Sequence, residues 1–213
     1  MKYTTFIFYI IVLTSVLNGS CYPERLEASY YLTEEEKEYI PFKGDEKVNF
    51  ITSDNNDQIV FSATPPVVEI IKTPSGVNTK KYYEYETLEI NLVSNHIIIT
   101  YFLSANDKRY HYKPFFNVSW VNDIDGTPGV KGGDRVPFDT SDFHSRVVLL
   151  DSVSVLDKVY YEVFKGNLEA FVINDSVYEP PLYPTSYYYK LPYGIIRFDF
   201  SDSTIWQLEN IEW

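Results

Sequence analysis

The 213-residue chain contains a single cysteine, Cys21, so no disulfide can form within one molecule. We therefore expect the fold to be held together by its hydrophobic core alone. The sequence also lacks His-x-x-x-His, Cys-x-x-Cys and Gly-x-Ser-x-Gly patterns. Zinc sites of those types and an α/β-hydrolase nucleophile therefore have no support.

Basic residues are scarce as well. Lysine and arginine number 18 against 30 aspartates and glutamates, which gives a formal net charge of −12. Nucleic-acid binding and electrostatic attachment to an anionic membrane face both need clusters of basic residues. The charge balance therefore predicts no nucleic-acid partner and argues against membrane attachment through charge.

Residues 1–20 have the layout of a secretory signal. Lys2 gives a positive start, residues 6–17 are almost entirely apolar, and Gly19 and Ser20 are small. The apolar run is shorter than the ~20 residues that a membrane-spanning helix needs. We therefore predict a signal peptide that directs export.

Cys21 stands directly after this signal. The segment Leu17-Asn18-Gly19-Ser20-Cys21 resembles a loose lipobox, with its leucine four residues before the cysteine rather than three. The alternative is an ordinary cleaved signal followed by a free thiol, in a secreted or periplasmic protein. The position of the only cysteine favours lipidation, with acyl chains such as palmitate on Cys21. This reading predicts a cell-envelope protein anchored in the outer membrane.

The remainder of the chain has an all-β composition. Twenty tyrosines, 14 phenylalanines and 3 tryptophans make 17% of the chain aromatic, which favours strands. We predict a lipidated cysteine and polar tether over residues 21–32 and a single all-β domain over residues 33–213. About ten short strands separated by turns favour an antiparallel sandwich or an open barrel. Trp206 and Trp213 are expected to be packing anchors.

Local patterns predict several elements of this domain. Thr33-Glu34-Glu35-Glu36 has the form of a capping box and predicts one short N-terminal helix. Residues 47–63 read as a hairpin, and prolines on both sides of residues 67–72 suggest an edge strand. Alternation slips by one residue around Thr87 within the strand predicted over residues 81–93, which predicts a bulge or a bend there.

Two parts of the domain resemble uncharacterised β-rich lipoproteins of the Bacteroidota. The resemblance covers about a quarter of the chain and rests on these stretches: Leu32-Thr33-Glu34-Glu35-Glu36-Lys37, Ile40-Pro41-Phe42, Gly44-Asp45, Lys158-Val159-Tyr160-Tyr161-Glu162-Val163-Phe164, Tyr193-Gly194-Ile195-Ile196-Arg197-Phe198 and Trp206-Gln207-Leu208. It implies a membrane-anchored β-rich domain and supplies no catalytic residues.

Two groups of residues are candidates for a functional site. Residues 122–142 are rich in glycine and aspartate and are predicted to form a long loop. Asp139 and Asp142 within it, together with His144 just after it, could bind a metal or act as acid and base. The run Tyr187-Tyr188-Tyr189 could line a groove in which flat rings stack on a glycan. Neither pattern is specific, because aromatic runs and polar loops are common in ordinary β domains.

The sequence therefore favours a binding or envelope-structural module, with a glycan or a protein as its ligand, over an enzyme. The alternative is a glycan-active or metal-dependent hydrolase that uses the loop at residues 122–144. No cofactor is expected.

The lipid anchor can be tested at Cys21. We expect mass spectrometry of the mature protein to find an acylated Cys21 at the N-terminus, and a Cys21→Ala variant to leave the membrane fraction. An unmodified cysteine, or a variant that stays with the membrane, would contradict the lipoprotein prediction.

Overall fold

The structure is a computed structural model that describes residues 24–54, 56–76, 80–95, 97–106, 115–124, 127–133, 147–170, 172–173, 176–177 and 184–213. The predicted signal peptide and Cys21 lie outside these residues.

Within the described residues the chain forms one short helix and fifteen strands. The helix α1 spans Glu34–Lys37. The strands are β1 Arg25–Tyr30, β2 Lys47–Thr52, β3 Gln58–Ala63, β4 Val67–Pro74, β5 Lys81–Ser94, β6 Ile97–Ser104, β7 Phe115–Ile124, β8 Thr127–Gly133, β9 Val148–Val155, β10 Lys158–Ala170, β11 Val172–Ile173, β12 Ser176–Val177, β13 Pro184–Lys190, β14 Gly194–Phe200 and β15 Ile205–Glu212.

Thirteen of these strands belong to one antiparallel sheet. Its main path runs β1-β5-β3-β2-β15-β14-β13-β10-β8-β7-β6. Beside this path β4 pairs with β5 and β9 pairs with β10, and β5 also pairs with β6. The predicted all-β antiparallel fold with one short N-terminal helix is confirmed.

The centre of the sheet packs around Trp120 of β7, which is fully buried. Its ring lies 5.0 Å from Phe198 of β14 and 5.4 Å from Trp206 of β15, measured between ring centroids. Phe50 of β2 continues the cluster at 5.9 Å from Phe198. Edge-to-face and tilted aromatic pairs of this kind stabilise a core beyond the burial of their area. The cluster therefore joins strands that lie far apart in the sequence.

The two predicted packing anchors differ in the structure. Trp206 lies in the core, as predicted, whereas Trp213 is mostly exposed and only stacks loosely on Phe42, with 6.5 Å between ring centroids. The prediction for Trp213 was wrong: the residue follows the end of β15, and among the described residues its ring remains 67% exposed.

Contacts within the chain divide it into two compact units. The small unit includes the described residues of 24–29 and 72–84, and the large unit includes those of 30–71 and 85–213. Residues 25–29, predicted to be part of a polar tether, are strand β1 in the small unit. The N–H of Arg25 donates to the carbonyl of Lys80, and the Ser29 hydroxyl donates to Glu84. Backbone pairing thus makes a strand from a sequence with little apolar patterning.

The long loop predicted over residues 122–142 is wrong in its first half. Strands β7 and β8 pair in continuous register from Ser119↔Gly132 to Ile124↔Thr127. The two strands are separated by residues 125 and 126 alone, which lie outside the described part of the chain. Residues 134–146 lie outside the described part of the chain.

The capping box at α1 is confirmed. The Thr33 hydroxyl accepts from the Glu36 N–H at 3.1 Å, and the Glu36 carboxylate accepts from the Thr33 N–H at 2.7 Å. A helix of four residues is too short to be stable alone, so it depends on tertiary contacts.

A buried carboxylate on β5 supplies those contacts. Glu86 accepts from the N–H of Leu32 at 2.9 Å, and its other oxygen lies 3.1 Å from the Lys37 ammonium. Glu86 is also where the predicted slip in alternation occurs. The structure has one continuous strand there, and β5 begins its regular pairing with β6 at Thr87. The slip in alternation therefore coincides with two features of β5: its pairing with β6 begins at Thr87, and the polar side chain of Glu86 is buried.

The role of Glu86 can be tested by truncation. We expect Glu86→Ala to lower the free energy of unfolding by about 2–3 kcal/mol, because it leaves the buried N–H of Leu32 without its acceptor and removes the buried partner of Lys37. Urea unfolding followed by circular dichroism measures this change. The matched control is Glu34→Ala, which removes the exposed partner of Lys37 and should cost less than about 0.5 kcal/mol. Equal losses in both variants would contradict the assignment.

Candidate functional site

The three tyrosines predicted to line a glycan groove are buried. Tyr187 and Tyr189 are completely inaccessible, and Tyr188 retains only 6% exposure. The prediction of Tyr187, Tyr188 and Tyr189 as a ligand-binding surface was therefore wrong. The Tyr187 ring lies against Gly166, where an added Cβ would come within 2.4 Å of it, so the neighbouring strand leaves space only for glycine.

Tyr188 is covered by polar neighbours. The Lys165 ammonium lies 5.1 Å and the Arg197 guanidinium 4.9 Å from the centroid of its ring. Its hydroxyl donates to Asp199 at 2.7 Å, and Arg197 pairs with the same carboxylate at 2.6 Å. Burial, and then the hydrogen bond to Asp199, raise the pKa of the Tyr188 hydroxyl. These contacts occupy the ring and the hydroxyl, so the cluster holds three strands together rather than presenting a ligand site.

Other predicted site residues lie outside the described part of the chain. These are Cys21 and the group Asp139, Asp142 and His144. Within the described residues, no group of three or more histidine, cysteine, aspartate or glutamate side chains is placed to hold a metal ion. The hydrolase alternative stays a prediction without support from the described residues.

A second buried carboxylate, Glu46, precedes β2. It is almost fully buried and accepts from the N–H groups of Lys43 at 2.6 Å and Gly44 at 2.8 Å. Burial by itself raises the pKa of Glu46, but the hydrogen bonds from the surrounding backbone outweigh it, so the pKa is lowered. Gly44 has φ +113°, and an added Cβ would lie 2.5 Å from the Cα of Pro65. The arrangement fixes a tight turn and leaves the carboxylate no room for a ligand.

The most unusual surface of the large unit is the segment Val67–Ile71 of β4, which we call the β4 edge. Every residue of β4 is exposed. Val67, Val68, Ile70 and Ile71 keep 49%, 54%, 46% and 41% of their surface accessible. Because neighbouring residues of a strand point to opposite faces, both faces of this strand present apolar side chains to solvent.

Among the described strands, the backbone of the β4 edge has a strand partner on one side only. In the described part of the sheet β4 is off the main path and pairs with β5, and the Thr87 hydroxyl donates to the carbonyl of Glu69 from that side. An edge strand directs half of its N–H and C=O groups away from its partner. Proteins usually protect such edges with charges or bulges, yet the only charge between Val67 and Ile71 is Glu69.

A cleft of about 430 Å³ lies between the tip of the β9–β10 hairpin and strands β2 and β15. Leu156 at the tip has φ +51°, a conformation that is uncommon for leucine. The cleft combines aliphatic and charged side chains: Ile51, Leu156, Asp157, Lys158, Leu208 and Glu209. Its volume suits a small ligand, but its side chains do not converge on one kind of chemical group.

Comparisons of the chain with models of protein families, with curated proteins and with solved structures found no match. Among the described residues no helix is long and apolar enough to cross a membrane.

The sequence predicted β4 as an edge strand but did not identify it as an interaction surface. The signal was present, because Val67-Val68-Glu69-Ile70-Ile71 lacks the alternation of a half-buried strand although prolines bound it. A run of that kind predicts burial on both faces. Its exposure in the structure identifies it as a candidate interaction surface.

The lowered pKa of Glu46 predicts how stability depends on pH. A carboxyl group whose pKa is depressed by folding stabilises the protein above its unfolded pKa, and that contribution is lost as the pH falls through the folded pKa. We expect Glu46→Gln to lower the free energy of unfolding by on the order of 2 kcal/mol at pH 7, with a smaller difference at pH 3. Urea unfolding across this range measures both. The exposed neighbour gives the control, since Asp45→Asn should follow the wild-type profile. Parallel profiles for Glu46→Gln and wild type would overturn the assignment.

Proposed function

We propose that the protein is an exported, lipid-anchored binding module of the cell envelope that captures an extended segment of a partner protein along the β4 edge. The observation that carries this proposal is the exposure of four large β-branched side chains on one edge strand. The anchor rests on Cys21 after the signal-like residues 1–20. The resemblance to lipoproteins of the Bacteroidota supports the same placement.

Strand addition explains both properties of the β4 edge. A partner strand would pair with the outward N–H and C=O groups, and its side chains would contact the apolar side chains on the two faces. Burying the rest of four half-exposed valine and isoleucine side chains contributes roughly 1 kcal/mol each. Together with a few backbone hydrogen bonds, this is consistent with a dissociation constant of roughly 1–100 µM after the cost of association.

The charge of the chain narrows the choice of partner. The full chain has a formal charge of −12, and removal of residues 1–20 takes away only the basic Lys2, so charge repulsion opposes pairing of one copy with another. A neutral or basic segment with apolar residues at alternate positions avoids this repulsion. We therefore assign the β4 edge to an extended, neutral or basic segment of a different protein.

The test uses synthetic ten-residue peptides with apolar residues at alternate positions and a neutral or basic charge, measured by fluorescence anisotropy. We expect micromolar binding, lost when alternate backbone N–H groups of the peptide are methylated, because strand addition depends on backbone hydrogen bonds. Val68→Lys combined with Ile70→Lys should weaken binding at least tenfold.

The matched control is Val148→Lys combined with Val159→Lys, which changes two valines of similar exposure on β9 and β10. This variant should bind like the wild type. The proposal fails if no peptide binds below about 1 mM, or if both double variants bind equally. A dimer in solution that Val68→Lys and Ile70→Lys dissociate would assign the edge to a second copy instead.

A further inference from the structure

The small unit differs in charge from the rest of the molecule. Its described residues include four basic side chains, Arg25, Lys72, Lys80 and Lys81, against three acidic ones at 24, 27 and 84. It is thus slightly positive within a chain of net charge −12. The acidic excess lies elsewhere.

The three lysines among these basic residues lie close together. Lys72, Lys80 and Lys81 line a depression of about 160 Å³ that also includes Glu24, Pro74 and Tyr82. The Lys72 ammonium lies 4.7 Å from the centroid of the Tyr82 ring, which holds the charge at the surface. Lys81 pairs with Glu27 at 3.2 Å, and its side chain is half exposed. Exposed pairs of this type are weak, so a phosphate can replace the carboxylate at little cost.

The depression lies close to the predicted anchor. Glu24 forms part of its lining, and only three peptide units separate Glu24 from Cys21. Even when fully extended, three residues span no more than about 11 Å. Acyl chains on Cys21 would therefore keep the lysines within reach of the phosphates at the membrane surface.

We propose that Lys72, Lys80 and Lys81 form a second membrane contact, which binds the phosphate groups of anionic lipids beside the anchor. The exposed side chain of Leu26 in the same unit offers apolar surface to the interface. The inference refines the proposed lipid anchoring, but lysine binding to lipid does not require the acyl chains. The lysine contact holds the small unit against the bilayer, whereas the anchor alone would fix only the N-terminal end of the chain.

Each lysine close to an anionic surface strengthens binding about fivefold, and three together on the order of 100-fold. Exposed charges are screened within about 8 Å at physiological ionic strength. The contact should therefore be strong at low salt and weaken steeply as salt rises.

The experiment uses the exported chain, residues 21–213, with Cys21→Ser so that no acyl chain contributes. Co-sedimentation is measured with phosphatidylcholine vesicles that contain 30% phosphatidylglycerol and with vesicles of phosphatidylcholine alone. We expect binding to the anionic vesicles at low salt, lost in high salt and absent with neutral vesicles. Lys72→Gln, Lys80→Gln and Lys81→Gln together should reduce it at least tenfold.

A charge-matched control distinguishes the effect of these three lysines from the effect of the net charge of the chain. Lys47→Gln, Lys158→Gln and Lys190→Gln together remove three lysines from the large unit and should reduce binding less than twofold. Equal losses in both triple variants, binding to neutral vesicles that resists salt, or no binding to anionic vesicles would each overturn the proposal. Membrane fractionation of the lipidated wild type reports on Cys21 separately, so either claim can fail while the other stands.

Discussion

The structure depends on the packing of aromatic side chains around Trp120. Its neighbours Phe198 and Trp206 come from β14 and β15, whereas Trp120 itself comes from β7 in the middle of the chain. The core is therefore shared by strands that lie far apart in the sequence. Because the chain has one cysteine and cannot form an internal disulfide, this shared core supplies the cohesion of the large unit. The buried carboxylates Glu46 and Glu86 then fix the turn and the helix at its periphery.

Charge on this molecule has to be considered region by region. The formal charge of −12 led to the expectation that no membrane surface would attract the chain. The fold gathers Lys72, Lys80 and Lys81 around a single depression, although they are separated in sequence from the residues that follow Cys21. The net charge, which is summed over the whole sequence, does not show that arrangement. The two proposals therefore use different surfaces, one apolar on β4 and one basic near the anchor.

Local signals allowed much of the fold to be predicted. The capping box at Thr33, the hairpin of β2 and β3 and the edge position of β4 all follow from contacts close in sequence or from proline placement. The burial of Tyr188 could not be predicted from local signals, because Lys165 and Arg197 cover its ring from neighbouring strands. A run of tyrosines looks the same in sequence whether or not its outer face is covered. The exposure of the β4 edge was not predicted, because an apolar run in the sequence does not show whether other described residues cover it.

The order of the strands has a consequence for how the chain must be made. Strand β15, close to the C-terminus, lies between β14 and β2, and Leu208 pairs with Phe50 across more than 150 residues. Strand β2 has β3 on one side, but its other edge lacks a partner until β15 has been made, and such long-range pairing is slow. The sheet of the large unit is therefore completed late, when residues 205–212 are available to pair with β2.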